Sequence, residues 1–112
     1  MILTVTLNPA VDEEYIIPEL RPGGWLRATS RISSPGGKGI NISTILAQFG
    51  YPSAAIGFLA GMKGEYIRSA LRSYRITTNF VHIPGENRTN VYIIDETGNL
   101  ETSISEAGIW TK

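Results

Sequence analysis

The sequence has 112 residues, of which 42% are apolar, and its ten basic residues balance its ten acidic ones. This length fits one domain with a sizeable core, and the zero net charge argues against a nucleic-acid partner held by bulk charge. The lack of cysteine excludes disulfides and thiolate metal sites, and a single histidine, His82, excludes a histidine-cluster metal site. The amino terminus lacks the basic start of a signal peptide and is too short to span a membrane, so we expect a cytoplasmic protein with no membrane partner.

The first predicted element is a strand over residues 2–7, a nearly continuous apolar run that ends at Asn8 and Pro9. Such a run predicts a strand that is covered on both faces, as in the parallel sheets of α/β folds. Three acidic residues follow, where open α/β sheets place their ligands. Asp12 is therefore a candidate ligand-binding residue, whereas Glu13 and Glu14 are expected to be solvated loop carboxylates.

Two short strands are predicted next, over residues 15–17 and 25–32, around Pro18 and a Pro-Gly-Gly turn. The second strand alternates, so that one of its faces is polar and carries Arg27, Thr29 and Arg31. A hairpin placed between the first core strand and the next helix is more typical of a flap than of a core element.

The segment from Ser33 to Asn41 reads SSPGGKGIN and precedes a predicted helix, in which four apolar residues recur at helical spacing: Ile42, Ile45, Leu46 and Phe49. The start of a helix attracts anions because its first N–H groups are unpaired and the helix dipole is positive there. Lys38 adds a charge, and three glycines allow a ligand to approach the backbone: Gly36, Gly37 and Gly39. The spacing excludes the Walker loop and the dinucleotide fingerprint, and a plain glycine turn with a solvated lysine stays open as an alternative.

The charge distribution also favours an anion site near this loop. No acidic residue occurs between Glu19 and Glu65, whereas the same stretch holds five basic residues: Arg21, Arg27, Arg31, Lys38 and Lys63. A local excess of positive charge within a neutral protein indicates a local anion site.

A second buried strand is predicted over residues 54–59, parallel to the first because a helix connects them. A second glycine loop then opens a helix over residues 65–74 at the same sheet edge. The remainder is β-rich, with a strand over residues 79–83 that includes His82 and a hairpin that pairs residues 90–95 with 100–105. Arg88 precedes this hairpin and, taken alone, is typical of a surface arginine.

Taken together, these sequence motifs resemble the amino-terminal part of the PfkB-type carbohydrate kinases of the ribokinase-like superfamily. The matching motifs occur in the same order as in the family, along the whole chain: TLNPAVD at 6–12, Leu26-Arg27, PGGKGIN at 35–41, residues 57–64 and Asn87-Arg88-Thr89. Within the family, the sequence is most similar to the branch that phosphorylates ketohexose phosphates, namely fructose-1-phosphate kinase and tagatose-6-phosphate kinase.

The resemblance implies an α/β fold, with a ribokinase-like parallel-sheet core and a small β lid whose first hairpin spans about residues 12–33. It implies that four residues bind sugar hydroxyls: Asp12, Gly37, Lys38 and Asn41. Gly36 would let the sugar approach the backbone, and Arg27 and Arg88 would bind its existing phosphate. These roles agree with chemistry, since carboxylates and amides match hydroxyls, whereas guanidinium groups match phosphates.

The resemblance also implies ATP and Mg²⁺ as cofactors, a phosphorylated ketohexose as acceptor, and a homodimer formed through the lid. In this family the catalytic aspartate and the nucleotide site belong to a later half that these 112 residues do not contain. We therefore expect the chain to be the acceptor-binding portion of a kinase, inactive by itself. Two alternatives stay open: a ribokinase-like kinase of an unphosphorylated sugar or nucleoside, and a stand-alone sugar- or anion-binding module.

Overall fold

The computed structural model describes residues 1–110. The described chain ends in a short 3-10 turn, Gly108–Trp110. The preceding elements are, in chain order, β1 Ile2–Thr6, β2 Ala10–Ile17, β3 Ser30–Gly36, α1 Lys38–Gln48, β4 Ser53–Leu59, α2 Gly61–Ser73, β5 Thr77–Thr78, β6 Val81–His82, β7 Arg88–Asp95 and β8 Leu100–Ser105.

The first of two sheets is parallel and forms the α/β core. Strand β4 lies between β1 and a broken strand made of β5 and β6, and Ile2 of β1 lies opposite Ser53 of β4. At the other end Thr6 lies opposite Gly57, so β1 and β4 run parallel, as the intervening helix predicted. The α/β fold class is confirmed.

The second sheet forms the lid, in the order β3, β2, β7, β8. Its two outer pairs are antiparallel hairpin-like pairs, and β2 and β7 run parallel at its centre. The expected lid, built from the early hairpin and from later strands, is thus present. The early hairpin occupies residues 10–36.

The core lies where the parallel sheet, the helices and the base of the lid meet. Its buried cluster takes side chains from β2, α1, β4, α2 and the segment after α2: Val11, Ile40, Ala55, Leu59, Ile67, Leu71 and Ile76. Burying each large aliphatic side chain contributes about 1.5–3 kcal/mol. Because Val11 belongs to this cluster, the base of the lid is fixed to the core.

Several sequence predictions about burial are wrong. Leu3, Val5 and Leu7 are 59%, 53% and 57% exposed, so β1 is covered only on the face of Thr4 and Thr6 within the described structure. Helix α1 forms where predicted, but two of its apolar residues, Ile42 and Ile45, are more than half exposed, as is Phe49 directly after it. The helix instead buries Gly39, Ile40 and Ser43. This face of α1 is small and partly polar, and it packs on β1. The hydroxyl groups of Ser43 and Thr4 are 2.7 Å apart there and share a hydrogen bond.

Some predicted boundaries are also wrong. Asp12, Glu13 and Glu14 lie within β2 rather than in a loop, and residues 25–29 precede β3 instead of belonging to it. The strand predicted over residues 79–83 contains only β6, and Phe80, just before it, packs against the core cluster. Helix α2 begins at Gly61, four residues earlier than predicted. The hairpin of β7 and β8 is confirmed.

Candidate acceptor site at the base of the lid

Asp12 lies on β2 opposite Ser34 of β3, and its carboxylate extends to Gly36, the last residue of β3. A Cβ atom at position 36 would overlap the carboxylate of Asp12, so only glycine leaves room for this carboxylate. The next residue, Gly37, has a φ angle of 121°, a conformation that residues with side chains rarely adopt. The two glycines therefore serve different needs, one for space and one for backbone conformation.

Strand β7 brings polar residues beside Asp12 from the other side. Asn90 is the register partner of Asp12, and its Nδ2 donates a hydrogen bond of 3.2 Å to Asp12 Oδ1. Arg88 and Tyr92 lie two residues away on either side and therefore share the face of Asn90. The lid thus carries a carboxylate, an amide, a guanidinium and a phenol on one face.

Burial and these neighbours have opposite effects on the pKa of Asp12. Burial raises the pKa of Asp12 above its ordinary value, and the hydrogen bond from Asn90 and the positive charge of Arg88 oppose this rise. Burial also raises the pKa of Tyr92, and the negative charge of Asp12 adds to that effect. Asp12 is therefore a partly desolvated acceptor of hydrogen bonds, and Tyr92 is a neutral hydroxyl.

Helix α1 begins directly after these glycines. Lys38 is its first residue, Asn41 lies in its first turn, and both side chains are exposed. The backbone N–H of Ile40 donates to Thr6 Oγ1 at 3.0 Å, and the first turn carries no acidic residue. Thr6 thus caps the helix from the end of β1, while the helix start keeps its positive character beside Lys38.

The second glycine loop has a different environment. The Glu86 carboxylate accepts a hydrogen bond of 2.6 Å from the backbone N–H of Lys63 in the first turn of α2. The start of α2 is therefore occupied by a carboxylate of the chain itself. Neither helix has an acidic residue in its own first turn, but Glu86 bonds to the start of α2, whereas the start of α1 follows directly after the glycines beside Asp12.

Asn87 links the α2 start to the lid. It is 1% exposed, its Oδ1 accepts from the Ala60 N–H at 2.8 Å, and its Nδ2 donates to the Phe58 carbonyl at 3.3 Å. Arg88 follows directly and borders a cleft of about 480 Å³, which is also lined by Lys63, Glu86 and Glu106. The Arg88 Nε is buried and, within residues 1–110, has no hydrogen-bond partner.

Arg27 lies apart from this group. It belongs to the loop between β2 and β3, where its guanidinium stacks on Trp25 at 5.1 Å from the ring centre. This loop returns to the sheet at the far end of β2, where the Thr29 N–H donates to the Ile16 carbonyl. Ile16 lies four positions after Asp12 along the strand, roughly 13 Å at the usual rise per residue. The structure therefore brings together six of the seven predicted binding residues: Asp12, Gly36, Gly37, Lys38, Asn41 and Arg88.

The sequence reasoning missed Thr6, Asn90 and Tyr92. The alternation of a strand that starts at Arg88 would have placed Asn90 and Tyr92 on the same face as that arginine. Thr6 carried a weaker signal, because it ends a strand whose neighbour in space could not be read from the sequence.

A parallel α/β core with a separate β lid, and a polar site at the junction of lid and glycine loop, defines the ribokinase-like kinases. The family model described as "pfkB family carbohydrate kinase" matches residues 6–108, and the chain belongs to this family. Curated relatives agree with this assignment.

The chain is 42% identical over 108 residues to a 1-phosphofructokinase from Bacillus subtilis, which covers 96% of this chain and 35% of that protein. It is 38% identical over 108 residues to a tagatose-6-phosphate kinase from Staphylococcus epidermidis, with 96% and 34% covered. Among solved structures, a possible 1-phosphofructokinase from Thermotoga maritima superposes with a TM-score of 0.89 at 44% identity, with 96% and 35% covered. The chain thus spans about a third of the length of these relatives.

Within residues 1–110, neither helix is long and apolar enough to cross a membrane.

Proposed function

We propose that this chain forms the acceptor-binding part of a kinase that transfers the γ-phosphoryl group of ATP to a ketohexose phosphate, fructose 1-phosphate or tagatose 6-phosphate. The names of the relatives support this substrate class, since both a 1-phosphofructokinase and a tagatose-6-phosphate kinase match at similar identity. In this proposal Asp12, Lys38 and Asn41 bind sugar hydroxyls, together with the backbone at Gly36 and Gly37. Arg88 binds the phosphate that the sugar already carries.

The observation that carries the proposal is the state of Arg88. Its Nε is buried without a hydrogen-bond partner in the described structure, next to the carboxylate that would hold the sugar. A buried charged donor that is left unpaired costs free energy, and a phosphate would satisfy it through a charge-assisted hydrogen bond. Arg27 is proposed as a second phosphate ligand, although it lies in a separate loop.

ATP and Mg²⁺ are proposed as the cofactors of the full-length protein. Mg²⁺ would neutralise charge on the transferring phosphates. No group of three His, Asp or Glu side chains among residues 1–110 could hold a metal ion, so we assign Mg²⁺ to no residue of this chain. A general base is likewise not assigned, because Asp12 is used to bind the acceptor.

The test replaces each arginine in the full-length protein. Arg88→Ala and Arg27→Ala should each remove a charge-assisted contact of about 1.5–3 kcal/mol, or roughly ten- to a hundredfold in affinity. Titration calorimetry should show this loss for the phosphorylated ketohexose, with unchanged affinity for ATP. Arg→Lys should restore only part of the affinity, since lysine keeps the charge and loses the planar fork. Arg72→Ala, at an exposed position in α2, is the matched control.

Lys38→Ala provides a contrast, because it should weaken sugar binding whether or not the sugar is phosphorylated. If both arginine variants keep the wild-type preference between phosphorylated and unphosphorylated sugars, the kinase of an unphosphorylated sugar or nucleoside becomes the better account. If the full-length protein binds sugar but not ATP, the stand-alone binding module does.

We further propose a cytoplasmic homodimer that pairs through the lid. The lid and its loop leave Trp25, Ile32 and Ile104 more than half exposed, and apolar area of this kind is common at protein interfaces. Sedimentation analysis of the full-length protein should give a dimer, and Ile32→Glu should shift it toward monomer. A monomer at all accessible concentrations would contradict the dimer.

A further inference from the structure

Asn90 occupies a central position in the lid. It lies between Asp12 on β2 and Ser105 on β8, and only 6% of its surface is exposed. Its Nδ2 donates to Asp12 Oδ1, and the Tyr92 hydroxyl interacts with the same amide. The donor side of this amide therefore faces the site, and flipping it would place its oxygen against the Asp12 carboxylate.

The other side of the amide is unsatisfied. The Asn90 Oδ1 is buried and has no hydrogen-bond partner in the part of the chain that the structure describes. A buried carbonyl oxygen without a partner costs about 1–3 kcal/mol, so the fold gains little from an amide at this position. Asn87 offers a contrast, because both ends of its buried amide are bonded to the backbone.

Asp12 has a different neighbour on each side. Its carboxylate occupies the space that the missing Cβ of Gly36 leaves on the β3 side, and Asn90 donates a hydrogen bond to its Oδ1 from the β7 side. The charged and titratable groups that act on Asp12 come from β7, namely Arg88 and Tyr92, whereas its β3 neighbours Ser34 and Gly36 are uncharged. Asn90 is thus the neutral group that favours the ionised form of Asp12 without binding the acceptor's phosphate.

We propose that Asn90 is a positioning residue for Asp12, which fixes the orientation of its carboxylate so that its oxygens can accept hydrogen bonds from the hydroxyl groups of the sugar. This inference rests on the proposed function for the identity of the ligand. The Asn90–Asp12 hydrogen bond itself does not depend on that identity.

The test measures the pKa of the Asp12 carboxyl group in the full-length protein, with and without ligand. The carboxyl carbon of Asp12 is followed by ¹³C NMR against pH and assigned by its disappearance in Asp12→Asn. Asn90→Leu removes the donor, and Asn90→Asp keeps the shape while placing a second carboxyl group beside the first. Both changes should raise the pKa of Asp12, the second more strongly because like charges repel. Ser105→Ala, on the opposite side of Asn90 in the same row, should leave the pKa unchanged.

Acceptor binding provides the second readout. Affinity for fructose 1-phosphate at neutral pH should fall about tenfold in Asn90→Leu, and the pH at which affinity is half lost should move upward in both variants. Affinity for ATP should not change. Asn90→Asp differs from the wild type by one atom type, so it keeps the test available if Asn90→Leu does not fold.

The outcomes separate the two proposals. If neither variant moves the pKa of Asp12 relative to Ser105→Ala, the positioning role is wrong. It is also wrong if the pKa moves while both variants bind the acceptor with wild-type affinity across the pH range. If the pKa moves and even the wild-type protein binds no ketohexose phosphate, the proposed function fails and the Asn90–Asp12 coupling stands.

Discussion

The buried side chain of Asn87 provides a stability prediction whose magnitude follows from the structure. Asn87→Leu keeps the number and branching of the side-chain heavy atoms but leaves the Ala60 N–H and the Phe58 carbonyl without their side-chain partners. An unpaired buried backbone group costs about 1–3 kcal/mol, and because the contact with Phe58 is longer and only partly buried, the total should be about 2–4 kcal/mol. The backbone hydrogen bond from Asn87 to Ala60 does not involve the side chain and should persist.

Urea denaturation of the full-length protein, followed by tryptophan fluorescence, measures this loss. Asn79→Leu is the matched control, since Asn79 is exposed and its hydrogen bond to Ala55 comes from the backbone. Because Arg88 follows Asn87 directly, affinity for the phosphorylated acceptor should also fall in Asn87→Leu. A change of less than about 0.5 kcal/mol, the range of ordinary surface substitutions, would refute the reasoning.

Three further predictions concern charge and exposed surface. Burial raises the folded-state pKa of Asp12 above the ordinary value of 3.8, so the wild type loses stability as pH rises from 3.8 through the folded-state pKa. Asp12→Asn should therefore be more stable than the wild type at neutral pH, and no more stable below pH 3.8, where the wild-type carboxyl group is protonated. The same substitution should abolish acceptor binding. Backbone N–H groups lower the pKa of Asp95, so its contribution is present above the ordinary value of 3.8 and lost as pH falls through the folded-state pKa; Asp95→Asn should be less stable at neutral pH, and the difference should close in acid. The exposed apolar face of β1 should make the 112-residue chain self-associate at tens of micromolar, roughly 10⁻⁵ M, by light scattering, and Val5→Lys should reduce this; a monomeric unmodified chain would contradict it.

Local patterns predicted the elements that local physics determines. The Pro-Gly-Gly-Lys-Gly motif predicted the start of a helix. Such a prediction is possible because positive φ angles and unpaired N–H groups depend on only a few neighbouring residues. The hairpin of β7 and β8 followed from two alternating runs around a Thr97-Gly98-Asn99 turn. The placement of Asp12 beside Gly36 followed from the family resemblance.

Burial and cross-strand neighbours could not be predicted in the same way, because they depend on which elements meet. The apolar spacing of Ile42, Ile45 and Phe49 predicted the helix correctly but not the face that packs, since the face with Ser43 joins the hydroxyl of Thr4. The role of Asn90 depends on its hydrogen bond to Asp12, 78 positions earlier in the chain, and therefore could not be predicted from its neighbours in sequence. A central parallel pair between β2 and β7 has no local sequence signal, because parallel strands are not joined by a turn.

Phosphotransfer measured with defined acceptors tests the central claim most directly. The full-length protein is incubated with ATP and Mg²⁺ and with fructose 1-phosphate, tagatose 6-phosphate or fructose, and ADP and the phosphorylated product are quantified. We expect a bisphosphate from at least one ketohexose phosphate, little product from fructose, and none from residues 1–112 alone. Transfer to the unphosphorylated sugar only, or turnover by the 112-residue chain at an ordinary kinase rate of about 1–100 s⁻¹, would contradict the account.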